Sequence, residues 1–213
     1  MNTKLTKLIW ITPKAEEVIA YCARVSNPKN QDNPNITKLL QYCAKEKHWS
    51  IFEMASMCIE INTSRAIATQ FIRHKSFSIQ QFSLRYSEAE DLGFPEARSQ
   101  DHKNRQNSID NLDEETLLWW RQEVHTLYVS IEGLYRKALE KGVAKECARG
   151  ILPLSTRTRL YASGNIRSWI HYLQVRANPK SGTQKEHYDL ACEIKEIFRE
   201  QLPIIYEATL ADS

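Results

Sequence analysis

The longest amphipathic segment of the chain is the feature that most restricts its fold. Apolar side chains recur at helical spacing from about position 113 to position 141, and Gly142 follows them. This pattern predicts one long helix that begins at Asn111 or Asp113 and ends at the glycine. Trp119 beside Trp120 makes the first turns apolar on two faces, so the helix either lies in the core or forms a subunit contact.

The remaining periodic segments predict a mixture of strands and helices. Alternation predicts strands at residues 4–12, 54–62 and 156–162. Helical spacing predicts helices at residues 13–23, 35–47, 144–151, 166–175 and 184–201, with a tail after Pro203. No internal repeat or composition shift divides the chain. We therefore predict one α+β domain that covers residues 1–213.

Composition restricts the class of protein further. The 213 residues are 42% hydrophobic and 26% charged, which is typical of a globular domain. The net charge of +3 is too small to argue for nucleic acid by itself. No apolar run has the length of a membrane span and no leader is visible, so we expect the cytoplasm. The five cysteines are widely spaced among apolar neighbours, which predicts reduced core thiols and no metal site.

The stretch from Gln70 to Tyr86 mixes cations with large apolar residues. It carries Arg73, His74, Lys75 and Arg85, while few carboxylates lie near it in sequence. A buried cation is costly unless an opposite charge pairs with it. We therefore expect these cations to be partly buried, with a bound anion as their partner. The alternative is a core helix followed by a surface strand with ordinary arginines.

Local patterns within this stretch predict its backbone. Polar residues at 62–64 can cap a helix, and the apolar stripe that follows has helical spacing. Beyond Lys75 the pattern alternates, with a change of parity that predicts a bulge or bend at residues 80–81. Ser83, Arg85 and Ser87 would then share one face of an extended segment.

Two other polar segments allow more than one interpretation. The residues from His48 to Glu53 match a capping box at the start of a helix, a structural role that is compatible with a functional one. Asn35 is the expected cap of the preceding helix. The polar segment from 88 to 111 is either a lid or mobile surface.

These motifs together resemble those of the flavin-dependent thymidylate synthases. Arg73-His74-Lys75, seven residues and then Ser83 is similar to the signature Arg-His-Arg, seven residues, Ser. The resemblance continues through Arg85-Tyr-Ser and extends over most of the chain. Further similar blocks are Cys22-Ala-Arg-Val-Ser, His48-Trp-Ser-Ile-Phe-Glu, Arg149-Gly-Ile-Leu-Pro, Asn165-Ile-Arg-Ser and Arg176-Ala.

The resemblance implies a fold and an activity. Members of this family are homotetramers with a mixed sheet flanked by long helices and with active sites shared between subunits. They use FAD, NADPH and 5,10-methylenetetrahydrofolate to methylate dUMP to dTMP. Classical thymidylate synthases use a cysteine in a Pro-Cys pair, and this sequence has no such pair.

The resemblance also implies roles for individual residues. Arg176 should face the pyrimidine of dUMP and act as the catalytic cation, and His48 should lie in the flavin and folate region. The other residues implied to bind dUMP are Gln70, Arg73, Gln81, Phe82, Ser83, Leu84, Arg85 and Arg149. Those implied to bind FAD are Ser50, Glu53, Arg73, His74, Lys75, Asn165, Arg167 and His171.

Three residues depart from the family pattern. Lys75 replaces a common arginine and loses its forked geometry, and Gln81 replaces a common acid. His171 replaces a common asparagine, and its charge would vary near neutral pH. A related chain without activity, serving as a structural or regulatory subunit, therefore remains an alternative. A basic nucleic-acid-binding module that uses residues 98–105 is a second one.

Overall fold

The computed structural model of this chain describes residues 4–211. The helices are α1 (Ala15–Ala23), α2 (Thr37–Lys45), α3 (Arg65–Phe71), α4 (Glu114–Glu140), α5 (Lys145–Ala148), α6 (Ile166–Arg176), α7 (Lys185–Gln201) and α8 (Pro203–Thr209). The strands are β1 (Thr6–Ile11), β2 (Ser56–Ser64), β3 (Ser78–Gln81), β4 (Ser99–Gln100), β5 (Ser108–Ile109) and β6 (Arg157–Asn165). Short 3-10 turns cover Pro28–Asn30, Trp49–Glu53 and Arg149–Ile151.

The strands form one larger and one smaller sheet. The larger has four strands in the order β1-β2-β6-β3, and β4 pairs only with β5. Strands β1 and β2 are antiparallel, with a register shift between Leu8 and Trp10. The chain is therefore α+β as predicted, although its sheet is antiparallel and not mixed.

The described chain divides into two compact units. The first holds residues up to 61, residues 72–80 and residues from 161 onward. Its core forms where the inner stripe of α6 packs under β2: Trp169 is fully buried, and its indole N–H donates to the Met57 carbonyl at 3.3 Å. Gly164 allows this packing, because a Cβ there would lie 2.6 Å from the Phe77 ring. The stripe predicted for this helix is confirmed.

The second unit holds residues 62–71 and 81–160. Asp113 caps α4 by accepting from the Thr116 amide at 2.7 Å, and Gly142 follows the helix with a positive φ of 82°. Both ends of the long helix are thus as the sequence predicts. Of the apolar side chains that recur at helical spacing along it, Val124 and Tyr135 are buried, whereas Leu127 and Leu134 are exposed.

Several local expectations are wrong. Asn35 does not cap α2, which begins after Ile36 without a side-chain cap. The predicted capping box at Ser50 is a short 3-10 turn, also without a side-chain cap. Pro203 begins helix α8 where a tail was expected, which suits proline at a first helical position. Cys147 is exposed, although all five cysteines are free thiols.

Candidate active site

The stretch from Gln70 to Tyr86 begins in the last turn of the capped helix α3 and ends in a turn. The Ser64 hydroxyl accepts from the Ile67 amide at 3.3 Å, which confirms the predicted start of α3. Strand β3 ends at Gln81, and no second strand follows it before Glu88. The amides of Tyr86 and Ser87 donate to the Ser83 carbonyl at 3.1 and 2.9 Å, so residues 83–87 form a turn. The prediction of an extended segment there is therefore wrong.

The cations between α3 and β3 lie at the surface. Arg73 and Lys75 are exposed, whereas His74 is half-buried. Neither Arg73 nor Lys75 forms an ion pair within residues 4–211. The expectation of partial burial is met by His74 and is wrong for Arg73 and Lys75 in the single chain. They remain uncommitted to any carboxylate in the part of the chain that the structure describes.

In the first unit, helix α6 carries a cluster of polar side chains. Asn165 caps it: its side-chain oxygen accepts from the Ser168 amide at 2.8 Å. Arg167 forms an ion pair with Glu53 at 2.5 Å, and its Nε–H donates to His171 Nε2 at 3.4 Å. The structure thus brings together four residues that the resemblance assigned to the same cofactor.

His171 is held in its neutral form. Desolvation lowers its pKa below the usual 6.5, and the charge of Arg167 lowers it further. Because Nε2 accepts the Arg167 hydrogen bond, the imidazole acts here as an acceptor. The lowered pKa and the accepted hydrogen bond both favour the neutral form of this histidine.

The turn before β2 adds aromatic side chains to this cluster. His48 and Ser50 are exposed, and the His48 ring meets Tyr42 edge to face at 5.9 Å. Trp49 contacts the His171 ring at 5.0 Å. Sequence reasoning did not single out Trp49, although its place inside the His48–Glu53 block was a signal for it.

Arg176 lies at the end of α6, beside His74. Its Nε–H donates to His74 Nε2 at 3.1 Å. Desolvation lowers the pKa of His74 below 6.5, and the positive charge of Arg176 lowers it further. The guanidinium therefore has a neutral partner and keeps its charge available.

In the second unit, Arg85 already has an acidic partner. Its guanidinium lies 3.1 Å from Glu146, and its side chain is 67% exposed. The expectation that Arg85 is buried and lacks a protein partner is therefore wrong. The nearby Gln81 amide donates to the Thr158 hydroxyl at 3.2 Å. Phe82, Tyr86 and Ser87 line an open groove of about 570 Å³ on this unit.

Arg149 has a second arginine as its neighbour. Arg65 Nη1 is buried and has no hydrogen-bond partner within residues 4–211. Desolvation lowers the pKa of Arg65, and the charge of Arg149 lowers it further. Sequence reasoning did not select Arg65. Of the other residues assigned to dUMP in this unit, Leu84 is buried, Ser83 is exposed and Gln70 is intermediate.

Among residues 4–211, no group of His, Cys, Asp and Glu side chains is placed to hold a metal ion. No described helix is long and apolar enough to cross a bilayer. The chemistry that remains is that of exposed cations, aromatic rings and neutral imidazoles, which suits phosphate groups and flat heterocycles.

Comparison with known proteins places this arrangement among related chains. The family model described as "Thymidylate synthase complementing protein" matches residues 7–204. The flavin-dependent thymidylate synthase of Synechocystis sp. is 56% identical over 193 residues, which are 91% of this chain and 88% of that protein. The probable flavin-dependent thymidylate synthase of Paramecium bursaria Chlorella virus 1 is also 56% identical, over 91% of this chain and 90% of that protein.

A solved structure shows the same fold. The UMP/dUMP methylase PolB from Streptomyces cacaoi, bound with 5-Br dUMP, superposes with a TM-score of 0.82 at 25% identity. The match covers 95% of this chain and 93% of that one.

Proposed function

Since the chain belongs to the family of flavin-dependent thymidylate synthases, we propose that it methylates dUMP to dTMP without a cysteine nucleophile. The observation that carries this proposal is 56% identity over 91% of the chain to a relative of that activity. The cofactor is FAD, as the flavin-dependent activity requires. We propose NADPH and 5,10-methylenetetrahydrofolate as the co-substrates.

The first unit offers a fitting surface for the cofactor. Exposed, unpaired Arg73 and Lys75 suit the negative charges of a dinucleotide, and the Trp49 and His171 rings suit a flat heterocycle. When bound, FAD would supply the redox chemistry that the side chains lack. We assign to it Ser50, Glu53, Arg73, His74, Lys75, Asn165, Arg167 and His171, with His48 in the flavin and folate region.

The second unit offers donors for the nucleotide. Arg85 is exposed, and its present partner Glu146 is a carboxylate that a phosphate dianion can replace. Arg65 Nη1 is buried without a hydrogen-bond partner among residues 4–211, and Arg149 is its neighbour. Positive charge is therefore in excess at a second place in this unit. In this unit we assign Gln70, Gln81, Phe82, Ser83, Leu84, Arg85 and Arg149 to dUMP. In the first unit we assign Arg73 and Arg176 to it.

Arg176 has the properties of an electrostatic catalyst. Its partner, His74, is neutral, so its positive charge is not cancelled by a carboxylate. A cation beside the pyrimidine favours an electron-rich ring, which needs no covalent attack by the protein. The chain's contribution to the reaction would then be binding, orientation and this charge.

We further propose a homotetramer with shared active sites, built from a single-domain subunit. The support lies in α4, where Leu118, Trp119 and Leu134 are exposed on one long helix. Apolar side chains in this number are usually covered by another surface. The five free thiols suit a reducing compartment, and we propose the cytoplasm.

One assay tests the proposal. Purified protein should be yellow, and deoxyuridylate methylation should require FAD and NADPH. The Arg176→Ala variant should keep FAD and lose dTMP formation, because only the charge at the pyrimidine is removed. Colourless protein that takes up no FAD, or FAD-loaded protein that makes no dTMP, would contradict the assigned activity.

A further inference from the structure

The pairing of Arg176 with His74 has a consequence for nucleotide binding. An arginine has one Nε–H and two outer amino groups in one plane. Here the Nε–H is fixed on His74 Nε2 at 3.1 Å. Because His74 takes only the Nε–H, the two outer amino groups can bind a ligand. The contact also fixes the plane in which these amino groups lie.

The surroundings of His74 keep it neutral. Tyr172 of α6 meets its ring edge to face at 5.1 Å, and His187 of α7 lies 6.4 Å away. His187 is fully buried and bonded to the Tyr172 hydroxyl at 3.2 Å. Burial, with smaller contributions from the neighbouring Arg176 and His74, lowers its pKa to about 3.

The titratable side chains described beside His74, Tyr172 and His187, supply no negative charge that would stabilise a protonated His74. Tyr172 has a raised pKa because it is desolvated, with Cys192 nearby as a further contributor. The tyrosine hydroxyl and the buried imidazole thus stay uncharged at neutral pH. A proton on His74 would lie beside Arg176 and remove the lone pair that accepts its hydrogen bond. Neutral His74 is therefore the form compatible with the observed contact.

We propose that His74 is a positioning residue, whose neutral ring orients Arg176 toward the nucleotide. This inference rests on the proposed function, because it takes dUMP as the ligand of Arg176. It assigns to the signature histidine a task that is separate from holding FAD. The side chain acts through Arg176, and removal of the acceptor should release the guanidinium without removing its charge.

A double-mutant cycle on FAD-loaded enzyme tests this role. The measured quantity is the dUMP dissociation constant, obtained from the change in flavin absorbance. His74→Phe keeps a ring but has no hydrogen-bond acceptor. We expect it to bind dUMP about 10-fold more weakly, because one charged hydrogen bond contributes on this scale. In an Arg176→Ala background the same change should cost less than 2-fold, because the residue that His74 orients is already absent. Equal costs in both backgrounds would overturn the proposal.

The conservative variant His74→Gln supplies the second readout. A glutamine can present its oxygen where Nε2 lies, so dUMP affinity should recover to within about 3-fold of wild type. Affinity of the wild type should fall as the pH is lowered and the imidazole protonates, and the glutamine variant should lack this fall. An identical pH profile in both proteins would contradict the proposal even if His74→Phe fails to fold.

These experiments distinguish a wrong role for His74 from a wrong assignment of the dUMP-methylating activity. If wild-type enzyme forms dTMP but the cycle is additive, only the role of His74 is wrong. If wild-type enzyme binds no FAD or makes no dTMP, the assigned activity fails first.

Discussion

Arg85 and Arg176 differ in the partner that their guanidinium groups contact. Arg85 is exposed and paired with the carboxylate of Glu146, so an incoming anion must displace an existing partner. Arg176 donates to a neutral imidazole and has no charge to displace there. The first arrangement adjusts affinity, because an exposed ion pair contributes less than about 1 kcal/mol. The second leaves the charge of Arg176 uncancelled at this contact, as its proposed catalytic role requires.

The pair at Arg85 gives the first prediction. Arg85→Ala should raise the KM for dUMP about 10-fold with little change in kcat, because it removes one charged contact to the phosphate. Glu146→Gln should leave the KM unchanged or lower it, since the competing carboxylate is gone. Steady-state kinetics with varied dUMP measure both, and an unaltered KM in Arg85→Ala would remove this residue from the nucleotide site.

Buried His187 gives the second prediction. Its folded pKa of about 3 lies below its usual 6.5, so the unfolded chain binds a proton that the folded chain does not. Its contribution to stability is present above pH 6.5 and is lost as pH falls toward 3. Between pH 7 and pH 5 this amounts to ~2 kcal/mol of unfolding free energy.

The matched variants isolate this contribution. Urea unfolding of His187→Gln should show a smaller loss of stability between those pH values than wild type. His125→Gln, at an exposed position on α4, should retain the wild-type loss. A wild-type pH dependence in His187→Gln would show that the imidazole is not the source.

At the scale of elements, α6 organises the first unit. Its buried stripe includes Ile166, Trp169 and Leu173, while Arg167 and His171 lie one turn apart on the other face. The start of the helix is fixed by Asn165. One helix thus supplies both core packing and polar side chains, and its first turn should be sensitive to the cap.

The cap gives the third prediction. Asn165 accepts from both the amide and the hydroxyl of Ser168 at 2.8 Å. Asn165→Ala should lower the unfolding free energy by ~1 kcal/mol in urea denaturation, as expected for loss of a cap. Asn165→Asp keeps the acceptor and should retain most of the stability. Equal stability of Asn165→Ala and wild type would disprove the cap. Weaker FAD binding by Asn165→Asp would indicate that the amide NH₂ contributes to the cofactor site.

At the scale of the whole molecule, α4 presents exposed apolar side chains that the proposed tetramer would cover. Only Val124 and Tyr135 of its 27 residues are buried, although large apolar side chains occur around it. A helix that is apolar on most sides is normally buried. Trp119 and Leu127 are each 56% exposed in the single chain, which is unfavourable unless another subunit covers them.

The fourth prediction concerns assembly. Trp119→Glu combined with Leu127→Glu should convert the proposed tetramer into smaller species, because two carboxylates would be buried in an apolar contact. Light scattering after gel filtration measures the mass. Val25→Glu, at an exposed position of the first unit, is the control and should leave the mass unchanged. A double variant with wild-type mass would exclude this face of α4 from the interface.

The sequence by itself determined the features that depend on neighbours within one or two turns. The caps at Ser64 and Asp113 and the inner stripe of α6 follow from local spacing. The family motifs likewise identified the activity. Residues 83–87 were mispredicted, because alternation of apolar residues also occurs in a turn whose amides bond to one carbonyl.

The tertiary structure alone decided the charge partners. Arg176 meets His74 across 102 residues, and Arg167 meets Glu53 across 114. No spacing rule connects residues so far apart, since their contact depends on how helices and strands pack. The same packing desolvates the imidazoles and lowers their pKa values, and it leaves Leu127 and Leu134 of α4 exposed, where periodicity allowed either a core position or a subunit contact. Periodicity reports which side chains are apolar, whereas packing determines which surface covers them.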